Sequence, residues 1–146
     1  MNNVPFPQAN DLNKIFKLIT LYLSHAPSEI LQKLKLNSWR QYYYYCDAAC
    51  YLGFLKKENS IYKLNDLGFK LVGEEKCRRE FLFLKVILRQ HFIIVLLSQK
   101  RNLENDLLTL SKYAPQFDVL SKSTKKRRYS CIVSWLKEIS HLINKN

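Results

Sequence analysis

The sequence predicts a mainly α-helical protein, and three observations predict it. Glycine and proline are scarce, three and four in 146 residues; long helices tolerate that scarcity, many-turned β-sandwiches do not. Hydrophobic residues make up 47% of the chain, enough for a core and too many for a disordered polymer. Apolar residues also recur at three- and four-residue steps through most of the length, the period of a helix with one buried face.

The elements follow in order. Residues 1–9 carry Pro5 and Pro7 and read as an N-terminal arm. Leu12, Ile15, Phe16, Ile19 and Leu23 mark a first helix, with Asn10 or Asp11 as its cap. His25-Ala26-Pro27 breaks it, and Ser28 is expected to cap a short second helix that turns Ile30, Leu31 and Leu34 inward. After a turn at Lys35-Leu36-Asn37, Ser38 and Gln41 form a capping-box pattern that opens a third helix. This helix is expected to run to about Leu55, with Gly53 near its end. Lys56-Lys57-Glu58-Asn59-Ser60 reads as a polar tip, flanked by Phe54-Leu55 and Ile61-Tyr62-Lys63-Leu64, which can pair as a hairpin. Asn65 then caps a brief helix through Leu71. Helices followed by a hairpin, with a short turn between the second and third helix, is the order of a winged helix-turn-helix, expected over residues 10–73.

Gly73 opens a second region, residues 74–146. Residues 74–97 read as one long helix or two, with Phe81, Leu84, Ile87 and Leu88 on one face. A further helix over 103–113 is capped by Asn102 and ended by Pro115, and a last helix spans 125–143. Shifting the third helix by 84 residues lays Tyr45 on Tyr129, Ala48-Ala49 on Ile132-Val133 and Tyr51-Leu52 on Trp135-Leu136. The expectation is two tandem units, the second helix-turn-helix-like and lacking a full wing.

Charge narrows the partners. The 24 Lys and Arg outnumber 12 Asp and Glu, for a net +12, which favours polyanions: DNA, RNA or an anionic membrane surface. The longest apolar run, residues 92–97, is too short to span a bilayer, and residues 1–12 show no signal-peptide pattern. A cytoplasmic, nucleoid-associated protein with no membrane partner is expected. Of Cys46, Cys50, Cys77 and Cys131, the first two share one side of a helix, but no Cys-x-x-Cys or His pair completes a zinc site. Free thiols, no metal and no cofactor are expected. His25, His91 and His141 lack a motif, phosphate-loop glycines are missing, and the nuclease-like Glu74-Glu75-Lys76 with Asp66 lies at a helix start, where acids are simply favoured. No catalytic residue is expected.

Two surfaces carry the expected binding chemistry. The outward face of the third helix holds Trp39, Arg40, Tyr43, Cys46, Asp47 and Cys50. A recognition helix reads bases with its first turns, so Trp39, Arg40 and Tyr43 are candidates for base contact. Arg40 suits guanine O6 and N7, worth about 1–3 kcal/mol of discrimination. Tyr42 is a candidate phosphate contact, with Lys56 and Lys57 at the tip, Lys63 behind them, and Tyr44 and Tyr45 packing sideways. The second surface is Lys122, Lys125, Lys126, Arg127 and Arg128. Cations at a helix start oppose its dipole, at about 0.3–1 kcal/mol each, which phosphate contact would offset. Thr124, Arg127, Ser130 and Ser134 point away from Ile132, Leu136 and Ile139; the first three are expected at bases, and Lys125, Lys126 and Arg128 at phosphates.

The run Ser38-x-Arg40-Gln41-x-x-Tyr44-Tyr45-x-x-Ala48-Ala49-x-Tyr51-Leu52-Gly53-x-Leu55, then Tyr62-x-Leu64-Asn65-x-x-Gly68, resembles the winged helix-turn-helix modules associated with type II restriction endonucleases. The run Ser123-Thr124-x-x-Arg127-Arg128-x-x-x-Ile132-Val133-x-Trp135-Leu136-x-x-Ile139 is similar to a second signature of those proteins. The resemblance covers residues 10–143 and implies tandem units that recognise duplex DNA, often attached to a nuclease domain. No such domain is legible in this sequence. The expected function is therefore a noncatalytic, sequence-specific module or subunit of a restriction-modification system, with double-stranded DNA and a separately supplied nuclease as partners. The alternatives are a small, dimeric transcriptional regulator and a protein–protein adaptor using residues 81–97. RNA is disfavoured because no stacking-platform motif is present.

Overall fold

The computed structural model describes residues 4–145. The mainly helical class holds: among the described residues there are nine helices and one two-stranded sheet. Helix α1 (Leu12–Leu21) starts where Asp11 accepts a hydrogen bond from the Lys14 N–H. Helix α2 (Pro27–Lys33) begins two residues earlier than its expected cap, on Ala26 rather than Ser28. Pro27 takes the first helical position, where its missing N–H leaves no gap, and Glu29 accepts from the Ala26 N–H instead.

After a turn at Lys35 (φ 55°), helix α3 (Trp39–Leu52) opens on Ser38, which accepts from the Gln41 N–H. The expected capping box is half formed, because Gln41 accepts from the Asn37 N–H and not from Ser38. Gly53 ends the helix in the left-handed region, at φ 92°, three residues before the expected stop. Strands β1 (Leu55–Glu58) and β2 (Ile61–Leu64) then pair antiparallel, Leu55 opposite Leu64 and Lys57 opposite Tyr62. Asn59 and Ser60, at φ 51° and 66°, supply the two positive angles that a tight hairpin turn needs. Lys56 and Lys57 thus belong to the strand and not to the tip where they were expected.

Helix α4 (Asp66–Gly73) is capped by Asn65, which accepts from the Gly68 N–H. Gly68 packs directly on the hairpin base: a β-carbon there would collide with the Phe54 carbonyl oxygen and lie 2.8 Å from Leu64 Cδ2. At Gly73, the other end of α4, an added β-carbon would meet nothing within 4 Å. Alanine at the two positions should therefore act with opposite sign. Gly68→Ala is expected to destabilise by about 1–3 kcal/mol, the clash outweighing alanine's helix propensity. Gly73→Ala should stabilise by about 0.4–1 kcal/mol. Urea unfolding of both variants measures this, and equal signs would disprove it.

The stretch from 74 to 97, expected as one helix or two, is two helices, α5 (Lys76–Leu88) and α6 (His91–Ser98), bent by 85°. The buried face of α5 is Phe83, Val86 and Ile87, because Phe83 packs on Phe16 and Phe54 with ring centroids 5.2 and 5.6 Å away. That rotation corrects the expected stripe: Phe81 is 64% exposed. Helix α7 (Leu103–Tyr113) starts on its Asn102 cap, α8 (Pro115–Asp118) forms where only a break was expected, and α9 (Lys122–Lys145) starts three residues early. Ser121 accepts from the Thr124 N–H at the start of α9. No single helix among the described residues is long and apolar enough to cross a membrane.

The N-terminal segment is built into the core. The Phe6 ring packs among Tyr51, Phe92 and Phe117. The Ala9 carbonyl accepts from Trp135 Nε1 at 2.7 Å and from Cys131 Sγ at 3.0 Å, and Glu138 accepts from the Leu12 N–H at 2.8 Å. Helix α9 thereby grips the start of the chain, and the buried side chains of both halves form one continuous core. Residues 1–3 of the segment read as an arm lie outside the described residues.

Candidate nucleic-acid interface

The outward face of α3 is narrower than its helical wheel implies. Trp39, Arg40 and Tyr43 are exposed and Asp47 is half-buried. Tyr42, Cys46 and Cys50 are buried instead. Two neighbours cover them. Tyr22 of α1 donates its hydroxyl to the Tyr62 carbonyl at 2.7 Å, which closes α1 against the hairpin over this flank of α3. Burial pushes the Cys46 and Cys50 thiols up to about 12 and also raises the Tyr42 phenol. A 2%-exposed Tyr42 has no route to a phosphate, so the expected contact there is withdrawn. The four described cysteines are free.

The hairpin extends the α3 face through aromatic rings. Tyr43 stacks on Tyr62 at 6.1 Å and 22°, and Trp39 meets Tyr43 at 6.3 Å. The Lys57 ammonium lies 5.1 Å from the Tyr62 ring centroid, an arrangement that holds the cation without neutralising it. The Tyr62 hydroxyl donates to Asp47 at 2.5 Å, which occupies the carboxylate that α3 contributes beside Tyr43. Burial and the Asp47 charge both raise the Tyr62 phenol. Lys56 and Lys63 instead converge on Glu58, at 3.2 and 3.8 Å. Lys57 is therefore the stronger cation of the hairpin for an incoming anion.

At the start of α3, Arg40 Nε donates to the Tyr44 hydroxyl at 2.7 Å. One of five guanidinium N–H groups is thereby spent on orientation. Tyr44, expected to pack sideways, is thus a positioning residue for Arg40. It also lies near Arg128 of α9, whose guanidinium burial and then Arg127 hold below its ordinary value. The α3 start and the α9 basic cluster therefore share a neighbourhood, which no spacing in the sequence reveals.

Along α9, Lys126, Arg127 and Ser130 are exposed and Thr124 and Arg128 half-buried. Arg127 Nη2 donates to Thr124 Oγ1 at 3.3 Å. Lys125 leans away, 4.0 Å from Asp118 and 5.8 Å from the Phe117 ring, so it serves α8 before any phosphate. Ile132, Leu136 and Ile139 are buried, as expected.

One cluster near this surface escaped sequence reading. Asp106 is fully buried and accepts from Arg101 Nε at 2.7 Å, Tyr129 Oη at 2.6 Å and Gln99 Nε2 at 3.2 Å. Tyr129 neighbours Arg128 and Ser130, so this carboxylate fixes the exposed turn of α9. An aspartate in a first helical turn reads as an ordinary dipole partner, which concealed it.

A family model described as a domain of unknown function, DUF7226, matches residues 13–144. The chain belongs to this family. The DUF7226 match takes in all nine described helices, save the first residue of α1 and the last of α9, and the candidate contacts on α3, the hairpin and α9. No curated protein and no solved structure matches the chain.

Proposed function

We propose that this chain is a noncatalytic, sequence-specific duplex-DNA-binding module. Residues 10–73 serve as its winged helix-turn-helix, and α7 to α9 as a second, wingless helix-turn-helix unit. One observation carries the reading: a helix start exposing Trp39, Arg40 and Tyr43 stacks on a basic hairpin through Tyr43 and Tyr62, and Tyr44 of the same helix lies near Arg128 in the α9 basic cluster. That combination places base readers between phosphate-holding groups, which is how duplex recognition divides its labour. Arg40, Trp39 and Tyr43 read bases in the major groove, together with Arg127, Thr124 and Ser130 from α9. Lys57, Lys126 and Arg128 hold phosphates. The resemblance to restriction-endonuclease-associated modules supports a place in a restriction-modification system, with the nuclease supplied by another polypeptide.

A mobility-shift titration against duplex DNA over a range of salt tests this. Wild-type protein should bind with log affinity falling linearly in log salt, and Lys126→Ala should reduce that slope by about one. Arg40→Ala should weaken specific binding by about 1–3 kcal/mol and relax one base position. An unchanged slope would remove Lys126 from the interface. Equal losses on specific and random duplexes would make Arg40 a phosphate contact. A second reading, a protein–protein adaptor, is favoured by the outward Phe81 on α5, beside Leu84 and Leu88; binding to no duplex near micromolar concentration would leave it in place of the first.

A further inference from the structure

The segment before α1 presents two side chains to the reading face. Ala9 is buried and its carbonyl is held by both Trp135 and Cys131. With Ala9 turned inward, its neighbours Gln8 and Asn10 line a polar cleft of about 430 Å³ shared with Asn37, Arg40, Gln41 and Tyr44 at the start of α3. Asn10 is exposed and Gln8 half-buried.

The chemistry of this cleft is unusual for a chain of net charge +12. Four carboxamides meet one guanidinium, and no carboxylate lines the space. Part of that set is already engaged: Gln41 Oε1 accepts from the Asn37 N–H, and Arg40 Nε faces Tyr44. The amides of Gln8 and Asn10 carry no such role in the α3 cap. A side-chain amide offers a donor and an acceptor side by side, which matches N7 and the N6 amino group of adenine in the major groove. A purely phosphate-binding cleft would be built from cations, since charge-assisted bonds to phosphate are the stronger ones. The backbone clamp on Ala9 also means that little conformational freedom is lost when these amides engage a base.

We propose that Gln8 and Asn10 are base-reading residues, and that the cleft takes the adenine edge of a base pair beside the one read by Arg40. This rests on the duplex-DNA reading of α3, and makes a clamped segment preceding the helix-turn-helix part of its specificity.

Selection of bound duplexes from a random library, run in parallel on wild type, Gln8→Ala, Asn10→Ala and Arg40→Ala, tests it. Each enriched duplex and its single-base-pair variants are then titrated, with thermal melts confirming that the variants fold. The expected wild-type site holds an adenine next to the Arg40-dependent position. Asn10→Ala or Gln8→Ala should lose that adenine preference and about 5- to 150-fold in affinity for the enriched duplex, while the Arg40-dependent preference survives. Folded variants that keep the wild-type site and affinity would overturn the proposal, as would equal losses on enriched and random duplexes. Wild-type protein that binds duplexes but enriches no sequence would overturn it and leave duplex binding intact. Binding to no duplex at all would overturn it together with the DNA reading beneath it.

Discussion

Asp106→Ala is expected to cost toward the lower end of about 3–5 kcal/mol, the loss that follows when one partner of a buried ion pair is removed. Three groups converge on this fully buried carboxylate, from Arg101, Tyr129 and Gln99. All lose an acceptor at once, and the hydrogen bonds to a charged acceptor are the costly ones, about 1.5–3 kcal/mol each. The lower end applies because the Arg101 side chain is 37% exposed and can turn to water. Tyr129→Phe removes a single bond and should cost less than Asp106→Ala. Thermal melting reads both, at roughly 2–4 °C per kcal/mol for a chain of this size. An Asp106→Ala melt within a degree of wild type would show that the network contributes nothing to stability. DNA binding gives a second readout. Tyr129 sits between Arg128 and Ser130, so a loosened α9 turn should weaken affinity for all duplexes through Arg128 and blunt the preference at the base read by Ser130, while the Arg40-dependent preference survives.

The local elements were legible because their signals are local. Asp11, Asn65 and Asn102 cap the helices they were expected to cap, and Gly53 takes the left-handed angle that a helix end favours. Errors arose where a tertiary neighbour decided the outcome. Cys46 and Cys50 lie on the polar side of an isolated α3 wheel, yet Tyr22 and the hairpin cover them. Phe81 fits the apolar period of α5, yet Phe16 and Phe54 rotate Phe83 inward and leave Phe81 out. Lys125 belongs to a basic run in sequence and to Asp118 in space. Of the candidate contacts, Trp39, Arg40, Tyr43, Lys57, Lys126, Arg127 and Ser130 face outward, whereas Tyr42 does not. Gln8 carried no signal and Asn10 only that of a candidate helix cap, because nothing in a short proline-containing stretch reveals which distant helix will clamp its backbone.

That clamp supplies the second large effect. Trp135→Ala is expected to destabilise by about 3–5 kcal/mol, the range for removing a buried large aromatic side chain. Trp135 is fully buried on α9, and it also satisfies the Ala9 carbonyl through Nε1 at 2.7 Å. Trp135→Phe separates the two contributions. The smaller ring keeps much of the packing and loses the donor, leaving the carbonyl with the Cys131 thiol, a weak one. Its cost should be the smaller of the two, and its effect on structure more local. Hydrogen exchange distinguishes them: Trp135→Phe should raise exchange around residues 8–12 ahead of the rest of the chain, whereas Trp135→Ala should lower protection throughout the shared core. Uniform protection in Trp135→Phe would mean that the Ala9 bond holds nothing in place. If the bond does hold the segment, the same variant should blunt the base preference assigned to Gln8 and Asn10 while sparing the Lys126 salt slope. A residue buried in the last helix would then set the precision with which the first residues of the fold read DNA.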